Sequence, residues 1–136
     1  AAAKPGATIE EIHDACVSVA TAGLVELGLL SGDPAALIAK NEHRRYYVHR
    51  TSHFLGLDVH DVGDYKLNGQ WRELQPGMVL TVEPGLYLRP ADNVPPALAN
   101  IGIRIEDDAI VTTQGCELIS RGVPVDPDAI EALMRA

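Results

Sequence analysis

Basic residues are in short supply. The 136-residue chain carries 11 Lys and Arg against 19 Asp and Glu, a formal net charge of −8. No basic stripe exists to neutralise phosphates, which argues against nucleic acid as a partner. The carboxylate surplus is compatible with hard cations and equally with plain solubility. Cysteine is scarce as well. Cys16 and Cys116 are the only two, too few for a disulfide framework and too far apart for a zinc knuckle. Cys16 falls on the apolar side of an expected helix and reads as a small buried hydrophobe. Aromatics are Trp71, Phe54 and four tyrosines. Long apolar runs are missing. The best, Val17 to Leu30, contains Glu26 and is too short to span a bilayer, and no signal peptide is visible. These features predict no membrane partner and a cytoplasmic location. The length suits one domain with its own core.

What remains alternates helix and strand signals. Thr8 with Glu11 three residues on forms a capping box. Ile9, Ile12, Cys16, Val19, Leu24 and Leu27 then mark the buried stripe of a helix running to about Gly28. His13 and Asp14 lie off that stripe, on an expected solvated face. Asp33 caps a short helix with Pro34 at its first position, running to about Asn41. A polar loop, 42–45, precedes extended chain from Tyr46 to Val48. Val59 to Val62 is expected as a short strand, and 63–72 as a polar loop. Pro76-Gly77 marks a turn before the strand Met78 to Val82. That strand is apolar on both faces and so belongs in the middle of a sheet. Leu86 to Leu88 is extended, and a proline-bearing loop leads to Ile101. The stretch Ile101 to Thr113 alternates well in its first half, with Ile101, Ile103 and Ile105 on one face and Gly102, Arg104 and Glu106 on the other. Gln114-Gly115 turns into a return strand, Cys116 to Ile119. Asp126 caps a last helix with Ile130, Leu133 and Met134 on its buried side.

Three of the five histidines, His49, His53 and His60, stand among apolar residues and glycines. His49 and His53 lack the glutamate of a His-Glu-x-x-His zinc helix, so that motif does not apply. Glu83 ends a doubly buried strand. A carboxylate there must be paired, protonated or metal-bound, because an isolated buried charge costs several kcal/mol at least. One imidazole and two strand-borne carboxylates, Glu83 and Glu106, form a candidate divalent site. The competing reading is a satisfied core histidine and a surface ion pair between Arg104 and Glu106.

Three blocks carry a resemblance: Thr51 to Gly63, Leu74 to Tyr87, and Ile101 to Asp108. Together they resemble the signature of the Xaa-Pro aminopeptidases (aminopeptidase P), pita-bread metallopeptidases related to prolidase, creatinase and methionine aminopeptidase. The resemblance covers essentially the whole chain. It implies an α+β pita-bread fold, here its second half, an antiparallel-rich curved sheet with flanking helices. It implies hydrolysis of the N-terminal residue from peptides with proline in second position, on two divalent ions, commonly Mn2+. Carried over residue by residue, the metal ligands are His53, Glu83 and Glu106, with Glu106 bridging. Glu83 also serves as the proton shuttle. His60 faces the substrate carbonyl. His49, Tyr87 and Arg104 shape the substrate pocket, and His49 supports the chemistry.

The departure is equally informative. The family's two metal-binding aspartates precede the helix that begins at Thr8, and nothing here replaces them. Residues 1–136 are therefore expected as the C-terminal part of the catalytic domain, with the N-terminal domain and the first half of the catalytic domain absent. Alone, the chain is expected to hold metal weakly and not to hydrolyse peptides. It is expected to associate with copies of itself or with the missing half. The alternatives are an Xaa-Pro dipeptidase (prolidase) and a non-catalytic pita-bread module that binds peptides or partners.

Overall fold

Strand β3 (Val79–Val82) is the element on which the rest is hung. In the computed structural model, which describes residues 2–91 and 93–135, it is flanked on both sides. One neighbour is β6 (Asp107–Val111), antiparallel, with Leu80 opposite Ala109. The other is the segment 51–55, which is not a regular strand. It is tied to β3 by an antiparallel bridge between Phe54 and Leu80 and by bonds from Leu55 N to Val79 O and Thr81 N to His53 O. Leu80 and Thr81 are buried as a result. The central position expected from the apolar pattern is realised, with a loop segment as one neighbour.

Among the described residues all strand pairing is antiparallel, in three small sheets. β3, β6 and β7 (Cys116–Leu118) form one; β4 (Gly85–Leu88) and β5 (Ile101–Arg104) form another. The third is a hairpin of β1 (Lys66–Leu67) and β2 (Gln70–Trp71) inside the expected polar loop. Its turn is Asn68-Gly69, both at positive φ, 52° and 81°. That turn chemistry matches the twist of a two-residue hairpin.

Helix α1 (Ile9–Glu26) starts at the predicted capping box: Glu11 N donates to Thr8 Oγ1 at 3.2 Å, and Thr8 N donates to Glu11 Oε2 at 2.7 Å. Its buried side differs from the expected one. Ile9, Ile12, Val17, Thr21 and Leu24 are buried, while Val19 and Leu27 are 76% and 55% exposed and Cys16 is half-buried. Val19 lies two residues from Val17, about 200° round the helix, so both cannot face one core. α1 therefore has two apolar sides. The buried one packs with Leu74, Leu80 and Val111 at one end and with Leu30, Tyr46 and Leu88 at the other.

Helix α2 (Pro34–Ala39) is capped by Asp33, whose carboxylate accepts from Ala36 N at 2.9 Å. A 3-10 turn over Glu42–Arg45 replaces the expected loop, and Tyr46 closes it in a helical conformation rather than beginning extended chain. Helix α3 (Pro127–Met134) has its predicted Asp126 cap, 3.0 Å from Ala129 N. Its expected buried side is exposed: Ile130 42%, Leu133 63% and Met134 79%. A cap and a proline determine a helix locally; burial needs a surface to pack on, and none of the described residues supplies it. Val59 to Val62 is not a strand either. It sits in a loop whose Asp61 N donates to Phe54 O at 3.0 Å, with Val59 and Val62 exposed. No neighbouring strand is within reach to pair with it among the described residues.

Candidate metal centre

The stretch expected as one alternating strand, Ile101 to Thr113, breaks at Ile105-Glu106. The chain opposite breaks at Glu83-Pro84. Val82 pairs with Asp107 on one side of the gap and Gly85 with Arg104 on the other, so the register runs through unchanged. Ile105 N donates to Pro84 O at 3.2 Å and holds the gap closed. Continuing that register sets Glu83 directly opposite Glu106. Like charges in that relation repel unless something cationic lies between them.

The flanking segment adds the imidazole. Glu83 N donates to Thr51 O at 2.7 Å, and His53 N donates to Thr81 Oγ1 at 3.1 Å. Thr81 Oγ1 in turn donates to Glu83 Oε1 at 3.2 Å. His53 thus projects beside the end of β3, with Nε2 3.2 Å from Glu83 Oε1. One ligand atom each from His53, Glu83 and Glu106 falls within 4.8 Å of the others. Glu83 is buried, His53 partly so, and Glu106 exposed.

The tautomer of His53 follows from its other nitrogen. Nδ1 lies 3.0 Å from Phe54 O, an acceptor only, so Nδ1 carries the proton. A neutral ring then turns a bare Nε2 toward a carboxylate oxygen, lone pair against lone pair. A proton on Nε2 or a cation near the three residues resolves that contact. One imidazole with two carboxylates is a donor set suited to a divalent ion such as manganese. The residues present therefore fit such an ion.

A second chain of bonds leads away from Glu83. Arg104 Nη1 is 3.4 Å from Glu83 Oε2, and Arg104 Nε donates to Tyr87 Oη at 2.9 Å. Tyr87 Oη is 2.9 Å from His49 Nε2. His49 Nδ1 is 2.6 Å from Arg50 O, so it donates there and Nε2 accepts from the tyrosine. Every group has one consistent role. The tyrosine contact and nearby carboxylates push the Arg104 guanidinium pKa up, keeping it charged beside Glu83. Gly85 makes the arrangement possible: a Cβ there would sit 2.7 Å from Tyr87 Oη and 2.9 Å from His49 Nε2. Gly102, opposite Tyr87 in the register, clears the other side of its ring.

The model of metallopeptidase family M24 matches residues 1–113. The chain belongs to family M24. It is 52% identical over 135 residues to the Xaa-Pro aminopeptidase of Escherichia coli, an alignment covering 98% of this chain and 30% of that protein. It is 44% identical to that of Haemophilus influenzae, covering 96% of this chain and again 30% of the relative. Among solved structures, an aminopeptidase of Pseudomonas aeruginosa superposes with a TM-score of 0.93 at 51% identity, over 98% of this chain and 30% of that one. Aminopeptidase P of E. coli with the inhibitor Pro-Leu superposes with a TM-score of 0.86 at 50% identity, covering 97% of this chain and 30% of that one. The M24 chain thus spans about 30% of the length of these relatives. The α+β pita-bread fold inferred from the three sequence blocks is shown.

Within this M24 chain the residues singled out by sequence fall into two groups. His53, Glu83 and Glu106 come together, and His49, Tyr87 and Arg104 form a continuous chain to Glu83. His60 stands on the exposed loop, its ring 4.3 Å from that of His53 and perpendicular to it. The competing surface pair between Arg104 and Glu106 is not found among the described residues; Arg104 instead contacts a second acid, buried Glu83, at 3.4 Å. Sequence reading missed Thr81 and Thr51, both fully buried and both hydrogen-bonded within the site. Their position one strand step from Glu83 and His53 was the available signal. His13 was assigned to a solvated face. It is instead partly buried, with Nδ1 2.7 Å from Thr51 Oγ1, and burial pushes its pKa down.

Proposed function

We propose that this chain is the C-terminal part of the catalytic domain of an Xaa-Pro aminopeptidase, and that it supplies His53, Glu83 and Glu106 to a pair of divalent ions, manganese in the first instance. The observation that carries this reading is the unbroken register that opposes Glu83 to Glu106 with Nε2 of His53 beside them. Such ions provide Lewis acidity and lower the pKa of a water. Glu83 takes up the water's proton and passes it to the leaving proline nitrogen. Arg104 and Thr81, both in contact with its carboxylate, fix the orientation of Glu83 for that task. His60, on its exposed loop, donates to the carbonyl oxygen as negative charge builds there. His49 and Tyr87 form the wall that receives the proline ring. The substrate class is supported by the names of the E. coli and H. influenzae relatives, both Xaa-Pro aminopeptidases that align over nearly all of this chain.

Three ligands make an incomplete set for two ions, so the isolated chain binds metal weakly and does not turn over. The exposed apolar side of α1 supports the expected association. Cys16, Val19 and Leu27 face Leu86, Ile101 and Ile103 across an open apolar groove of about 580 Å3. An apolar surface of this kind calls for a cover, either the remainder of the catalytic domain or a second copy. Both thiols are free, which fits a reducing compartment such as the cytoplasm. No helix among the described residues is long and apolar enough to cross a membrane.

The test is an assay of the longer protein that contains this sequence, with Mn2+, on a tripeptide and a dipeptide bearing proline second. Release of the first residue from the tripeptide, lost in Glu83→Gln, is expected. Cleavage of the dipeptide alone would favour a prolidase. No cleavage with intact metal binding would favour the non-catalytic binding module.

A further inference from the structure

We infer that His13 is a positioning residue for the candidate metal centre: through Thr51 it fixes the segment carrying His53 against the strand that ends in Glu83. The inference rests on the metal reading above, but its first readout does not need metal.

Thr51 is held from two directions. Its side chain is fully buried and its hydroxyl meets both His13 Nδ1, at 2.7 Å, and Tyr47 Oη. Its carbonyl accepts from Glu83 N at 2.7 Å. Thr51, two positions before His53, therefore joins helix α1 to the residue that follows β3. The polar accounting closes in either direction: His13 donates to Thr51 and Thr51 to Tyr47, or the reverse. A neutral imidazole serves both, and burial with Arg50 close by disfavours the charged ring.

The rings continue the same connection. His13 packs on Tyr47 with centroids 5.6 Å apart, Tyr47 on His49 at 5.6 Å, and His49 on Tyr87 at 5.4 Å. His13 thus touches the two residues that back the site without reaching Glu83, His53 or Glu106 in any described contact. Loss of its ring leaves the buried Thr51 hydroxyl with Tyr47 alone. The segment 51–53 then gains freedom to slide along β3, because it is a loop-like edge held by few bonds rather than a full ladder.

The test uses the whole 136-residue chain with His13→Ala and His13→Asn. Hydrogen exchange is followed at Glu83 N, which bonds Thr51 O, and at Leu30 N, which bonds Leu24 O in the distant core. Mn2+ affinity is read from broadening of the His53 ring signals. His13→Ala should speed exchange at Glu83 by roughly tenfold relative to Leu30 and weaken Mn2+ several-fold. His13→Asn, whose amide reaches Thr51, should recover most of both. Equal acceleration at both amides, no acceleration at Glu83, or no recovery in His13→Asn would each overturn the inference. His53→Ala serves as the reference. If it leaves Mn2+ broadening of the remaining site residues unchanged, the metal reading fails, while the exchange comparison still decides the role of His13.

Discussion

Replacing Glu106 by Gln should move stability and metal affinity in opposite directions. Without a cation, the carboxylates of Glu83 and Glu106 face each other across an unbroken register, with ligand oxygens no more than 4.8 Å apart. Two unit charges at that separation repel by about 3.5 kcal/mol at an effective dielectric constant of ~20. Glu106 is exposed and Arg104 lies 3.4 Å from Glu83, so screening and neutralisation cut this to ~1 kcal/mol or less. Glu106→Gln keeps the shape and removes the repulsion. The metal-free chain should therefore unfold at the same or a slightly higher urea concentration, by up to ~1 kcal/mol. The wild type should gain stability on adding Mn2+, by about 2.7 kcal/mol once the ion reaches roughly 100 times its Kd. The variant should gain much less. Urea titrations with and without Mn2+ measure both effects. A variant that is clearly destabilised without metal, yet responds to Mn2+ like the wild type, would refute the reasoning. Glu106 would then be an ordinary surface acid.

Two further outcomes follow from the same geometry. Gly85→Ala places a methyl 2.7 Å from Tyr87 Oη and 2.9 Å from His49 Nε2. It should part the tyrosine from the histidine, cost about 1–3 kcal/mol in urea unfolding, and shift the His49 ring signals more than those of His13. The pH dependence rests on His13 and His43, both pushed below the usual 6.5, chiefly by burial. The unfolded chain takes up these protons first as pH falls, so their contribution is complete above 6.5 and is lost as pH drops through the folded values. The urea midpoint should fall between about pH 7.5 and about pH 5.5, and the double change His13→Asn with His43→Asn should flatten that fall. An unchanged slope would assign the acid sensitivity to carboxylates instead.

Local signals in the sequence were sufficient wherever a local interaction decides the outcome. The capping box at Thr8 and the Asp-Pro starts of α2 and α3 each satisfy orphan amides within three residues, and each is found. Burial was less legible, because it depends on what lies opposite. The apolar pattern of α1 was consistent with one stripe, yet the helix presents two apolar sides and covers only one of them. The stripe on α3 is genuine and unused. In the site, Glu83 was conspicuous because a carboxylate ends an apolar strand. The alternation from Ile101 to Glu106 hid the break at Ile105-Glu106, since a strand that changes partner keeps its side-chain period. The contact of His13 was not legible in the sequence, which placed it on a solvated face. Its partner Thr51 is 38 residues away, and no local pattern joins a helix face to a loop that distant.

On the proposed reading His53, Glu83 and Glu106 together hold a divalent ion, in a set incomplete for two. Calorimetric titration of Mn2+ into the chain near neutral pH, alongside His53→Ala and Glu83→Gln, tests it most directly. Weak binding that disappears in both variants is the predicted result. Tight binding of two ions per chain, or binding that survives both substitutions, would contradict the account and send the search for ligands elsewhere in the chain.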